Sequence, residues 1–379
     1  MMSRARVRSL VGLVAALVVS GCASTEEGIA GDAGASACGS CHTTEYAAWS
    51  SSRLAASGTS PVFEALSTSA GTAWGEPAKA RCVSCHQPGF GGDHGIGCVS
   101  CHAATGNLAT RDGLLTVDTA APVNGPFDDP VATPAHGSQS SPLLESPDLC
   151  GTCHQVTGPG LLHETTLDEL NASKVASEGA TCVTCHMPPG TPGPIALGQT
   201  NTRARSDHSF VGFDPPWGAP ASEQTTAAAR TLQLLQLGLT LFATRRADGI
   251  DVTVVNRAGH AVPTGVTFLR SVWVDVVLTD AAGASAKLAS VVSLGAQPTL
   301  EGAPVALITE ADTVEPHELA SGQSITVHVA TPTSLIEPVV AVVTLQGRAV
   351  RPEVLGALGL TAMAAEVPTH VIQTVRIDE

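Results

Sequence analysis

The chain has 379 residues, with 38 Gly and 25 Pro but only four Trp, one Tyr and seven Phe, and a formal charge of −15. So acidic a balance excludes nucleic-acid binding, which needs basic patches, and Gly and Pro are too few for a collagen-like or low-complexity chain. Hydrophobic residues reach 43%, enough for a core, yet most are small aliphatics, so something other than aromatic side chains is expected to fill part of the interior. The length suggests two or three domains.

In chain order, Arg4, Arg6 and Arg8 precede an apolar run at 10–19 and then Ser20-Gly21-Cys22. A basic start, a short apolar run and small residues at a cleavage point form an export signal. About ten apolar residues are half of what a bilayer span needs. Val19-Ser20-Gly21-Cys22 resembles a bacterial lipobox, which implies removal of 1–21, acylation of Cys22 and a lipid anchor to a membrane. The small polar stretch that follows suits a tether over 22–36. The expected location is that of an exported lipoprotein, on the periplasmic side of a membrane or at the cell surface. Ser24 favours the outer membrane by analogy.

The other ten Cys fall into five copies of Cys-x-x-Cys-His: Cys38, Cys41 and His42; Cys82, Cys85 and His86; Cys98, Cys101 and His102; Cys150, Cys153 and His154; Cys182, Cys185 and His186. Two thiols at this spacing can add to the two vinyl groups of one haem, and the adjoining His reaches the iron. Zinc uses paired Cys-x-x-Cys but needs no His after every second Cys. Disulfides suit an exported chain but do not explain five His in register. Five covalently bound haem c groups are therefore expected. The sites occupy residues 38–186, about one per 30 residues, too little chain to wrap each cofactor separately. The haems are expected to neighbour one another and to form much of the core, which accounts for the missing aromatics.

Five His are used in the motifs, leaving His94, His136, His163, His208, His260, His317, His328 and His370 for five sixth-ligand positions. His94, four residues before Cys98, and His163, in a Gly-Pro-rich loop, are candidates by position. His317, His328 and His370 lie in a strand-rich region far from any attachment site and read as ordinary surface or hydrogen-bonded residues.

Residues 37–265 resemble multihaem c-type cytochromes related to the tetrahaem cytochromes of nitrifiers and to the hydroxylamine-oxidoreductase superfamily. The matching pieces, besides the five motifs, are Tyr46-x-x-Trp49, Asn124-Gly-Pro-Phe-Asp-Asp129, His136 upstream of Leu149-Cys-Gly-Thr-Cys-His154, Cys185-His-Met-Pro188, His208-Ser-Phe-Val-Gly212 and Gly259-His-Ala-Val-Pro-Thr-Gly265. The resemblance implies that His136, His208 and His260 are distal ligands. One departure stands out. Relatives read Trp-x-x-Ser-x-His-Ala after the first site, where this chain has Trp49-Ser-Ser-Ser52-Arg53-Leu54-Ala55. Either His94 or His163 replaces the lost ligand, or one iron keeps an open position.

Elsewhere, short helices are expected at 46–56 and 167–175, a loop-rich connection over 104–146 with a hairpin at 111–113, and a linking helix at 222–238 capped by Ser222. Seven strands, at 239–244, 250–256, 268–279, 287–294, 324–329, 339–346 and 371–377, predict a β-sandwich over 239–379. The fold class is thus α+β multidomain: a haem-organised, mostly helical and irregular domain at 37–221 and an all-β domain. The expected function is a membrane-anchored electron carrier with mostly bis-histidine haems and redox protein partners. The alternative is an oxidoreductase acting on a small nitrogen or sulfur compound at one open haem. All five motifs end in His, so the Lys-ligated haem of pentahaem nitrite reductases is absent. Tyr46, beside the first site, is not placed like the cross-linking Tyr of hydroxylamine oxidoreductases. Both points favour the carrier.

Overall fold

The structure, a computed structural model, describes residues 34–90, 94–105, 115–131 and 133–378. The export signal, Cys22, most of the tether and the hairpin expected at 111–113 lie outside the described residues. Among the described residues no helix is long and apolar enough to cross a membrane.

The N-terminal part is built of short elements: helices α1 (Ala35–Gly39), α2 (Thr43–Ser50), α3 (Pro61–Trp74), α4 (Glu76–His86) and α5 (Cys98–His102); strands β1 (Val123–Gly125) and β2 (Ser138–Ser140); α6 (Pro147–Gly151); strands β3 (Val156–Thr157) and β4 (His163–Glu164); then α7 (Thr166–Asn171), α8 (Lys174–Ser177) and α9 (Cys182–His186). Each Cys-x-x-Cys-His motif occupies a helical turn. Where the helix itself stops short of the His, the turn continues, with the amides of His42 and His154 donating to the carbonyls of Cys38 and Cys150, both at 2.9 Å. A helical turn puts positions i, i+3 and i+4 on one face, so both thiols and the imidazole of each motif look the same way.

The longest helix here, α3, was not foreseen. Ser60 caps it by accepting from the Phe63 amide, Pro61 occupies its first position, and Gly75 at φ +88° ends it, three signals with clear physical causes. The helix expected at 46–56 stops at Ser50 and gives way to a 3-10 turn at Ser57–Thr59. The one expected at 167–175 is split, because the Ser173 side chain accepts from the Ala176 amide and starts a second helix. The connection over 104–146 is not all loop: β1 and β2 pair in parallel.

Helix α10 (Ala221–Gly238) leads into the sandwich. Pro220, not Ser222, is its N-cap; Ser222 lies inside and its carbonyl accepts from the Thr226 hydroxyl. All seven expected strands are present as β5 (Leu239–Arg246), β6 (Gly249–Asn256), β7 (Ser271–Asp280), β8 (Ser285–Leu294), β12 (Ser324–Ala330), β13 (Val339–Arg348) and β14 (His370–Ile377). A further small sheet of β9 (Gln297–Leu300), β10 (Ala303–Pro304) and β11 (Thr313–Glu315) was missed. One sheet runs β12-β6-β5 and the other β14-β13-β7-β8, with every pairing antiparallel. Alternation drives this packing: Val252 and Val254, Val274 and Val276, and Ala341, Val343 and Leu345 all point inward and are fully buried. Each buried Val or Leu contributes roughly 1.5–3 kcal/mol.

The two parts share a second apolar cluster. Val62, Leu66 and Trp74 of α3 pack against Phe268, Leu269, Ile308, Val350 and Leu355, and the hydroxyls of Ser69 and Thr309 bond at 2.7 Å. The fold is α+β, and the joint between its halves is as apolar as a core.

Candidate functional site

All ten motif thiols and eight imidazoles line one continuous cavity of about 2080 Å³. That is at least twice the usual 300–1,000 Å³ of a small-ligand pocket, and its wall is mainly apolar. Among the described residues none of the ten motif Cys is in a disulfide. Among the described residues no three His, Cys, Asp or Glu side chains converge as a metal-ion site requires, so the four-ligand closure of structural zinc has no donor set.

Six of the imidazoles face one another in pairs across the cavity. The ring centres of His42 and His136 are 6.2 Å apart, those of His102 and His208 6.3 Å, and those of His186 and His260 6.2 Å, with interplanar angles of 24°, 16° and 23°. Two imidazoles on opposite sides of one metal ion would stand about 6.2 Å apart, given about 2.0 Å per metal–nitrogen bond and about 1.1 Å from nitrogen to ring centre. Each pair therefore stands far enough apart that one metal ion could be held between its two rings. Direct ring stacking would bring them closer.

The hydrogen bonds of these rings point the same way. His42 Nδ1 donates to the carbonyl of Ile195 at 2.7 Å, His86 to Ser57 at 3.3 Å, His102 to Asn124 at 2.7 Å and His186 to Val211 at 2.6 Å. His136, His208 and His260 donate to the carbonyls of Gly137, Ser206 and Ala261 at 2.8–2.9 Å. A carbonyl can only accept, so each Nδ1 carries the proton and each Nε2 keeps its lone pair for a metal. His154 is the exception in kind: its Nδ1 meets a carboxylate, Glu164 Oε1, at 2.6 Å.

Thiols of different motifs also touch. Cys38 is brought down to about 7 chiefly by the hydrogen bond from Cys98, and Cys182 to about 7 by that from Cys150. Cys85 is lowered first by its bond from Cys153. Sites one and three, two and four, and four and five are therefore direct neighbours.

Two comparisons bear on this arrangement. Residues 37–107, which hold the first three motifs, match the family described as cytochrome c554 and c-prime. The fold matches the crystal structure of a penta-heme cytochrome c552 from Thermochromatium tepidum with a TM-score of 0.67 at 18% identity, over 92% of this chain and 99% of that one. The region holding the first three motifs is thus similar to a multihaem c-type cytochrome family, and the fold as a whole is like that of a penta-heme cytochrome. No curated protein matches the chain, and neither comparison supports the resemblance to hydroxylamine oxidoreductases. The five thiol pairs, the imidazole beside each and the outsized apolar cavity fit covalently bound haem c.

His136, His208 and His260, the distal ligands implied by the sequence resemblance, each lie opposite a motif His. His94 and His163 are exposed and lie outside the cavity wall. His328 is held through both nitrogens by Asp251 and Asp248, His317 lies beside Glu315, and His370 packs against Phe213. Among the described residues no imidazole stands opposite His86 or His154. Instead the Phe63 ring lies flat on His86, 4.0 Å away at 13°, and burial lowers the His86 pKa. Burial alone would lower His154 too, but the charge and hydrogen bond of Glu164 outweigh it and the net shift is upward.

Sequence reasoning missed Glu164 and Phe63. For Glu164 a signal existed: His163 and Glu164 are consecutive on β4, and strand side chains alternate. The sequence points to the His; the pleat turns that residue outward and its neighbour in.

Proposed function

We propose that this cytochrome is a lipid-anchored relay that carries electrons between redox proteins, with three of its five haems each held between two imidazoles. The supporting observation is the set of three imidazole pairs at 6.2–6.3 Å in one undivided cavity. Haem supplies reversible one-electron exchange, and paired imidazoles favour lower potentials than a Met/His pair. The chain's own part is to hold its attachment sites close together: site three beside one, site four beside both two and five. Acylated Cys22 tethers the assembly to a membrane, and the expected location is the periplasmic side or the cell surface. The net charge of −15 favours a partner with a basic face and an association that weakens as salt rises.

The test is the ferric EPR spectrum of the purified holoprotein together with a pyridine haemochrome count. Five haems per chain, three of them low-spin with bis-imidazole signals, is the expected result. Fewer than three low-spin haems overturns the ligand pairing. For the anchor, mass spectrometry should find acyl chains on Cys22, and Cys22→Ser should release the protein into the soluble fraction.

A second reading is favoured by one observation, the lack of a facing imidazole at His86 and His154. It makes the cytochrome an oxidoreductase for a small nitrogen or sulfur compound at one of these sites. Turnover of nitrite, hydroxylamine or sulfite by the reduced or oxidised protein would establish it. Carbon monoxide binding without turnover leaves the relay.

A further inference from the structure

Four of the five motif imidazoles donate to neutral backbone carbonyls; the fifth, His154, donates to the Glu164 carboxylate at 2.6 Å. This contact is built into the fold. Glu164 sits on β4, whose register pairs it with Val156 two residues after His154, and only 13% of its side chain is exposed. Gly265, at φ +74°, passes so close that a Cβ there would lie 3.3 Å from Glu164 Oε1. The carboxylate is therefore boxed in against the imidazole. At 2.6 Å the contact is a short hydrogen bond from the imidazole N–H to a carboxylate oxygen.

A hydrogen bond to an anion is roughly twice as strong as one to a neutral acceptor, and a carboxylate behind a ligating His raises the basicity of that ligand. A more basic imidazole stabilises the ferric over the ferrous state. Site four is also where the neighbour relations converge: its Cys153 lies beside Cys85 of site two and its Cys150 beside Cys182 of site five.

We propose that Glu164 is a positioning residue that enriches the His154 imidazole in electron density and makes site four the low-potential junction of the relay. Electrons reaching that junction are passed on to its neighbours and do not rest there. The proposal depends on the five motifs carrying haem.

The test is an EPR-monitored redox titration of the holoprotein and its Glu164→Gln and Glu164→Asp variants, each with its haem count. In Glu164→Gln one midpoint of the five rises by about tenfold in the ratio of reduced to oxidised iron, about 59 mV for one electron, and the other four move much less. Glu164→Asp keeps the charge but shortens the arm by one methylene, and its midpoint falls between those of wild type and Gln. A fully loaded Glu164→Gln protein with five unchanged midpoints overturns the proposal. So does an Asp variant identical to wild type or to Gln. If Glu164→Gln fails to load, Glu164→Asp decides: a rise at one haem supports the proposal, no rise rejects it. A wild-type haem count below five counts against the attachment reading and not against Glu164.

Discussion

The two halves of this protein close their interiors by different means. From residue 239 onward the core is a continuous cluster of Val, Leu, Ile and Ala contributed by seven strands, many of them wholly inaccessible to solvent. Over residues 34–186 the buried apolar side chains are few and mostly small, among them Ala35, Ala70, Ala78, Val99, Ala103 and Ala104. Helices of five residues are common there, far below the length at which a helix is stable alone. One half is held by its own side chains; the other is arranged around a space that its side chains do not fill.

The largest effect expected from that contrast comes from blocking haem attachment. Full-length chain made without haem maturation should lose ordered structure over residues 34–186, while the sandwich stays folded. Limited proteolysis mapped by mass spectrometry should find cuts confined to the first half; equal cutting in both halves would dissolve the comparison. Next, Leu345→Ala in the sandwich should cost about 2–5 kcal/mol by removing a fully buried side chain, read as a lower thermal midpoint with the haem count unchanged. More local is His260→Ala. It should turn one haem in five from low-spin to high-spin, and an unaltered EPR spectrum would remove His260 from the ligand set.

The smallest effect is a pH dependence. Burial opposes ionisation of Asp275, but the Ser290 amide, Lys287 and Gln346 outweigh it and hold its pKa below the usual value. A carboxylate lowered on folding stabilises above its unfolded pKa of about 3.9, and that contribution is lost as pH falls through the lower folded value. Asp275→Asn should therefore be less stable than wild type at neutral pH. The gap should narrow in acid below about pH 4, as followed by denaturation midpoints at several pH values.

The same contrast explains what could be read from the sequence. Strand alternation survives in a linear string, so β5 to β8 and β12 to β14 were legible to within a few residues. Short β9 to β11 carry too few residues for a period and escaped notice. In the first half the motifs announced the thiols and five imidazoles, but not which His crosses to meet which. His136 meets His42 of the first site, although it precedes the fourth in sequence, and His208 meets His102 of the third. Such pairings depend on how the chain winds around the cavity, and no local pattern encodes them. His94 and His163, candidates by their position in the sequence, lie exposed and outside the cavity wall, a placement that sequence proximity does not reveal.

The loop at 259–265 belongs to the sandwich, yet its His260 faces His186 of the last attachment site. Asn256, at the end of β6, donates to the His260 carbonyl, while Glu169 of α7 accepts from the Ala261 amide and the Thr264 hydroxyl. The sandwich is thus no detachable appendage. A foreign β domain grafted after α10 would have to bring an imidazole at the same register and a matching handhold for Glu169, so the halves cannot be exchanged as modules.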